Sequence, residues 1–225
     1  MFKTNKEYWE KRYAEMEEIN VVGRYDWDEK RYKRETTRWG NIIRKVLEKR
    51  FNKLKQLKPD KPRQKKKVLD FGCGIGRWAP FLSDYFDDYH GVDIMPNNDR
   101  IMTNLPWYND VFFTQINDDG TFELQDSEYK FDLVWTCVSL QHIMDEDLLK
   151  YYINRFYEEL KDDGYVLITE NTLEHKPTKY ITFRSEQQYE DLFVNSSDVK
   201  FSLVAKSGLN SSKEPHSIMM FKKEI

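Results

Sequence analysis

Cysteine is nearly absent from this chain. Cys73 and Cys137 are the only two, and each lies in an apolar run, not in the C-x-x-C spacing of a metal site, which points to a reducing, cytoplasmic compartment. No apolar stretch reaches the length of a membrane span. The opening MFKTNKEYWEKRY is too polar for a signal peptide. Positive charge is not in excess: 36 Lys and Arg stand against 39 Asp and Glu, a net charge of -3, which argues against a protein that coats nucleic acid. Glycine is scarce, nine residues in 225, yet three of the nine fall together at Gly72, Gly74 and Gly76.

What is present suffices for a core. With 39% hydrophobic and 15% aromatic residues in 225, the chain can form one domain with an extension. Tyr8, Trp9, Tyr13 and Met16 recur at helical spacing behind Asn5, a candidate N-cap. A stronger helix is predicted in TTRWGNIIRKVLEKRFNKLKQL, with Trp39, Ile42, Ile43, Val46, Leu47, Phe51 and Leu54 on one face. These define an N-terminal helical extension or lid over 1–60, followed by the main domain over 61–225. Residues 44–67 hold twelve Lys or Arg against two acids, leaving the remainder near -13. Lys65–Lys67 lead into the start of a strand, so this charge belongs to a solvated face away from any ligand.

From KVLDFG onward strands and helices alternate. YHGVDI, VFFTQI, FDLVWTCV and GYVLITEN read as strands. A helix begun by Asp145 carries Leu148, Leu149, Tyr152, Ile153, Phe156 and Leu160, and Gly164 marks the turn into the next strand. Ser185 and Gln188 form a capping box. VKFSLVAK and HSIMMFKKEI are too close in sequence for a helical crossover and should pair antiparallel. The fold class is α/β: a Rossmann-like, seven-stranded, mostly parallel sheet, helices on both faces, with an antiparallel C-terminal strand pair.

VLDFGCGIGRW is the informative stretch. A dinucleotide turn reads G-x-G-x-x-G and receives a pyrophosphate at a helix N-terminus. Here the spacing is G-x-G-x-G, Arg77 stands where the third glycine belongs, and Asp70 closes the strand. A carboxylate there repels phosphate and welcomes a ligand with a cationic end.

These residues resemble the class I S-adenosylmethionine-dependent methyltransferases over roughly 66–225. VLDFGCGIG resembles the first motif and GVDI the second. IND, FDLVWTCVSLQHI and LKDDGYVLI resemble the third, fourth and fifth. The resemblance implies S-adenosylmethionine as cofactor, held by Asp70, Gly72, Gly74, Arg77, Asp93, Ile94, Asn117, Asp118 and Cys137. Asp93 would take the ribose hydroxyls and Asn117 or Asp118 the adenine, while Arg77 would either reach the ligand carboxylate or pair with a surface acid.

His142 and Glu170 are the candidate catalytic bases, on the rim where open α/β sheets bind ligands. Asn171 could touch substrate. Asp145, Glu146 and Asp147 are better explained by a helix dipole than by a metal, so no metal is expected. Tyr, Trp, Arg and Lys dominate the two stretches where the family builds its substrate pocket, 1–60 and TLEHKPTKYITF. They suggest a small polar substrate, a glycan among the candidates, and O-methylation of a sugar or nucleotide-linked sugar. Two alternatives stand beside it: N-methylation of a protein amino terminus, because GIGR, the loop histidine and ITEN are similar to that subfamily, and a non-catalytic cofactor-binding subunit.

Overall fold

Strand alternation builds two cores on opposite faces of one sheet. In β1 (Lys67–Phe71) and β4 (Phe131–Cys137), Leu69, Phe71 and Val134 enter one core while Val68, Leu133 and Trp135 enter the other. In β5 (Leu160–Asn171) and β7 (His216–Lys223), Ile168, Met219 and Phe221 join the first core, and Leu167, Ile218 and Met220 the second. Side chains on a strand alternate between faces, so a strand buried on both sides reads as a continuous apolar run. The computed structural model describes residues 2–15, 27–54, 64–95, 108, 110–124, 128–173, 176–195, 198–209 and 216–225.

With β2 (Asp88–Asp93), β3 (Asp110–Gln115) and β6 (Phe201–Leu209), the sheet has seven strands in the order β3-β2-β1-β4-β5-β7-β6. The first five are parallel, and β7 runs antiparallel to both β5 and β6. The expected fold class and antiparallel pair are both found. Strand order reverses between β1 and β4, and ligands of open α/β sheets bind at such a switch, beyond the carboxyl ends of the strands.

Among the described residues the α-helices are α1 (Phe2–Glu15), α2 (Glu29–Leu47), α3 (Ala79–Leu82), α4 (Glu146–Glu159) and α5 (Glu186–Val194). Helix α4 starts at Asp145, as expected; its carboxylate accepts the amides of Asp147 and Leu148, and Glu146 and Asp147 occupy the first turn. The Ser185–Gln188 capping box on α5 is also present.

Three local expectations are corrected. Asn5 lies inside α1 and is buried, so it is not the N-cap. Helix α2 starts earlier than predicted, behind Asp28, whose carboxylate accepts the Arg31 amide, and it ends at Leu47. Beyond that point the chain leaves the helix and delivers Phe51 to the rings of Phe86 and Tyr165. Gly164 sits inside β5, in a bulge where pairing with β4 jumps from Phe131–Leu160 to Leu133–Tyr165. A Cβ on Gly164 would meet Lys161 O at 3.0 Å. Met16 and the 60/61 boundary lie outside the described residues.

The described part of the basic run sits at the amino ends of the strands, opposite the site. It is matched by acids there: Lys65 with Asp88 and Asp110, and Arg44 with Asp84. Among the described residues no helix is long and apolar enough to cross a membrane.

Candidate active site

A cavity of about 690 Å³ opens over the carboxyl ends of β1, β2, β4 and β5. Its floor is the turn after β1. Gly72, Gly74 and Gly76 adopt φ of 71°, 55° and 75°, the left-handed region that costs other residues energy. Gly72 is also confined, since a Cβ there would lie 2.2 Å from Ser139 Oγ. The strand-to-helix reversal therefore brings bare backbone against whatever occupies the cavity.

Asp93 ends β2 and lines the cavity. Its carboxylate accepts the Gly74 amide at 2.8 Å and the Met95 amide at 3.0 Å. Burial pushes its pKa up, and the backbone amides pull it back. Ile94 and Cys137 line the same cavity, and burial pushes the Cys137 thiol up.

Arg77 lines it too, enclosed by aromatic rings. Its guanidinium lies 4.9 Å from the ring centres of Tyr32 and Trp78, 5.6 Å from Trp27 and 5.7 Å from Trp39. Its Nε donates to Thr36 Oγ1 at 3.0 Å, and Nη2 is buried with no hydrogen-bond partner among the described residues. Burial lowers its pKa. A buried guanidinium with an unmet donor suits a carboxylate. Together these features fit S-adenosylmethionine: Cβ-free backbone for close approach, a carboxylate with acceptor capacity for ribose hydroxyls, and a cation for the methionyl carboxylate.

Other expected residues lie elsewhere. The Asp70 carboxylate does not line the cavity; it accepts the Tyr89 hydroxyl at 2.6 Å and is 2% exposed. Burial pushes its pKa up to about 7 against the Tyr89 hydrogen bond. The carboxylate that lines the cavity at this turn is that of Asp93, one strand away. Asn117 and Asp118 also miss the cavity. Asn117 Nδ2 donates to Thr121 Oγ1 at 3.1 Å, and Asp118 pairs with Lys6 of α1. Ile116, just before them, supplies the wall instead.

His142 does reach the cavity, at the end of a single 3-10 turn, Leu140–His142. Its Nδ1 lies 3.0 Å from Tyr180 O. A carbonyl only accepts, so Nδ1 carries the proton and the neutral ring keeps its lone pair on Nε2. Burial lowers the pKa to about 4, against the raising effect of the Tyr180 bond. Glu170 is fully buried and away from the cavity; its carboxylate accepts the Ser139, Leu140 and Gln141 amides. The expectation that Glu170 faces substrate is corrected, and its neighbour Asn171 lines the cavity in its place.

Helix α1 completes the wall. Tyr8 stacks on Tyr180 at 4.3 Å, Trp9 meets His142 edge-on at 5.1 Å, and Asn5 Nδ2 donates to the His142 carbonyl. Tyr8, Trp9, Arg12 and Tyr13 all line the cavity, as do Ile181 and Phe183. These residues fall in the two aromatic-rich stretches, 1–60 and TLEHKPTKYITF, from which a substrate pocket is expected.

A family model for a methyltransferase domain matches residues 41–198. The chain belongs to the methyltransferase domain family. Phosphoethanolamine N-methyltransferase 3 of Arabidopsis thaliana is 32% identical over 129 residues, covering 54% of this chain and 23% of that protein. A Geobacillus methyltransferase relative is 28% identical, covering 62% of this chain and 52% of its own length. The chain thus spans 23% of one of these relatives and 52% of the other. In structure it resembles Haemonchus contortus phosphoethanolamine N-methyltransferase 1, with a TM-score of 0.72 at 16% identity over 99% of this chain and 49% of that one. It also resembles the N-methyltransferase NodS of Bradyrhizobium japonicum, with a TM-score of 0.64 at 15% identity over 97% and 98%. At such identities the shared property is the fold.

Proposed function

We propose that this methyltransferase-family protein transfers a methyl group from S-adenosylmethionine to a nitrogen of a small polar acceptor bearing an anionic group. His142 carries this reading. A neutral imidazole with pKa near 4 and its lone pair on Nε2 is a hydrogen-bond acceptor at neutral pH. It is a weak base for removing a hydroxyl proton, since general bases work best with a pKa near the working pH. It is well suited to accept a hydrogen bond from a neutral amine and turn the amine lone pair toward the methyl group.

When bound, the cofactor supplies an already activated sulfonium methyl. The chain's own residues have three tasks. Gly72, Gly74 and Asp93 orient the nucleoside, and Arg77 fixes the opposite end. The aromatic wall of Tyr8, Trp9, Tyr13 and Phe183 excludes water and aligns the acceptor. Arg12, on the α1 side of the cavity, favours an anionic group on the acceptor. The similarity to phosphoethanolamine N-methyltransferases supports the same chemistry.

A hydroxyl acceptor, such as the sugar suggested by the polar lining, is the second reading, because the Nε2 lone pair can also take a hydroxyl proton. Methyl-labelled S-adenosylmethionine offered with separate pools of phosphoethanolamine and related amines, glycans, and peptides with free amino termini decides between them. Label on the amine pool is expected; label confined to glycan hydroxyls overturns the nitrogen reading.

A further inference from the structure

A short helical turn leaves its first amides and last carbonyls without internal partners. In the turn Leu140–His142 the N-cap residue Ser139 does not serve those amides. Its hydroxyl is turned to the carbonyls of Cys137 at 3.3 Å and Gly72 at 3.4 Å. Glu170 serves them from the neighbouring strand, accepting from Ser139 at 3.0 Å, Leu140 at 2.9 Å and Gln141 at 3.3 Å.

The far end of the turn is held by Arg184, which donates to Leu140 O at 3.3 Å and Ile143 O at 2.8 Å. A carboxylate at the amino end and a guanidinium at the carboxyl end match the turn's dipole at both ends. Neither group lines the cavity. Just before the turn Val138 has φ 58°, a conformation that a β-branched residue keeps only under constraint. Its amide is tied to Thr169 O at 2.7 Å.

We propose that Glu170 is a positioning residue: by gathering three consecutive amides it fixes the strained loop after β4 and so sets the place and orientation of His142. This rests on the role given to His142 above. Glu170 acts through backbone and takes no proton from substrate. Arg184, Tyr189 of α5 and Cys137 of β4 share its electrostatic surroundings. Arg12 of α1 is the charged group acting on His142, and Asp145 lines the same cavity; all of these are left in place by the test.

The test follows ring-nitrogen titration of His142 and amide exchange at residues 139–141 by NMR, in protein saturated with S-adenosylhomocysteine. In Glu170→Gln an amide group faces amides and one acceptor oxygen is lost. Exchange at 139–141 should then rise about 10- to 100-fold. The His142 midpoint should climb by about one unit or more toward the ordinary histidine value. Glu170→Asp, which keeps the charge, should recover part of both shifts, and it carries the test alone if the Gln variant does not fold. Unchanged exchange overturns the proposal. Faster exchange with an unmoved His142 titration also overturns it, leaving Glu170 a structural clamp. Failure of the His142 reading itself is seen separately, as full label transfer by His142→Ala.

Discussion

Replacing Gly72 by Ala tests whether the turn after β1 is as tightly enclosed as it looks. Two costs are separable. The left-handed φ of 71° is worth about 1–2 kcal/mol to any residue with a Cβ. The new methyl would also sit 2.2 Å from Ser139 Oγ and 2.5 Å from Ser139 Cβ, and Ser139 cannot easily retreat, because its amide is held by Glu170. Overpacking of this kind costs about 1–3 kcal/mol, so the total should be about 2–5 kcal/mol in urea unfolding, or roughly 5–15 °C in Tm. Adding Ser139→Gly removes both crowding atoms and leaves the φ penalty. The double variant should regain about 1–3 kcal/mol over Gly72→Ala while remaining about 1–2 kcal/mol below Ser139→Gly alone. A Gly72→Ala protein as stable as wild type, or a double variant no better than the single one, would refute the account.

Asp93→Ala should weaken S-adenosylhomocysteine binding by about 10- to 100-fold in calorimetry, with the fold retained; unchanged affinity would show that Asp93 does not hold the ribose. His142→Ala should lower label transfer by about 10- to 100-fold, the loss of one orienting hydrogen bond, with cofactor affinity within a few-fold of wild type, and a collapse of cofactor binding would make the residue a loop anchor instead. For Asp70, a folded pKa near 7 against an ordinary value of 3.8 means that stability is fully present below pH 4 and lost as pH rises through 7. Asp70→Asn should therefore lose less stability than wild type between pH 4 and 8, by up to a few kcal/mol; parallel unfolding profiles would show Asp70 to be ordinary.

The strands and the glycine turn were legible because they depend on local pattern: period-2 burial, G-x-G-x-G spacing and a carboxylate closing each of two strands. Sequence does not say which face each of those carboxylates meets. Asp70 and Asp93 look equivalent on paper, yet the first turns to Tyr89 and the second into the cavity. At the end of β5, Glu170 and Asn171 are adjacent and alternate between faces, so only one reaches the cavity. Asn117 and Asp118, the residues expected on the adenine side, lie off the cavity, and Ile116 just before them lines it. Arg77 left two outcomes open, and its rings come from Trp27, Tyr32 and Trp39, whose approach depends on how α2 and the segment before it pack on the sheet.

The strand order has a consequence for biosynthesis. Strand β7, made after β6, is inserted between β5 and β6. While the ribosome is still adding residues 216–223, β6 has no strand partner among the described elements and β5 presents an open edge beside the nearly finished cavity. The sheet can close only after residues 216–223 have been made and have left the ribosome. A nascent chain stalled before that point would carry the glycine turn and Asp93 complete, yet would expose a sticky β5 edge to its neighbours on the polysome.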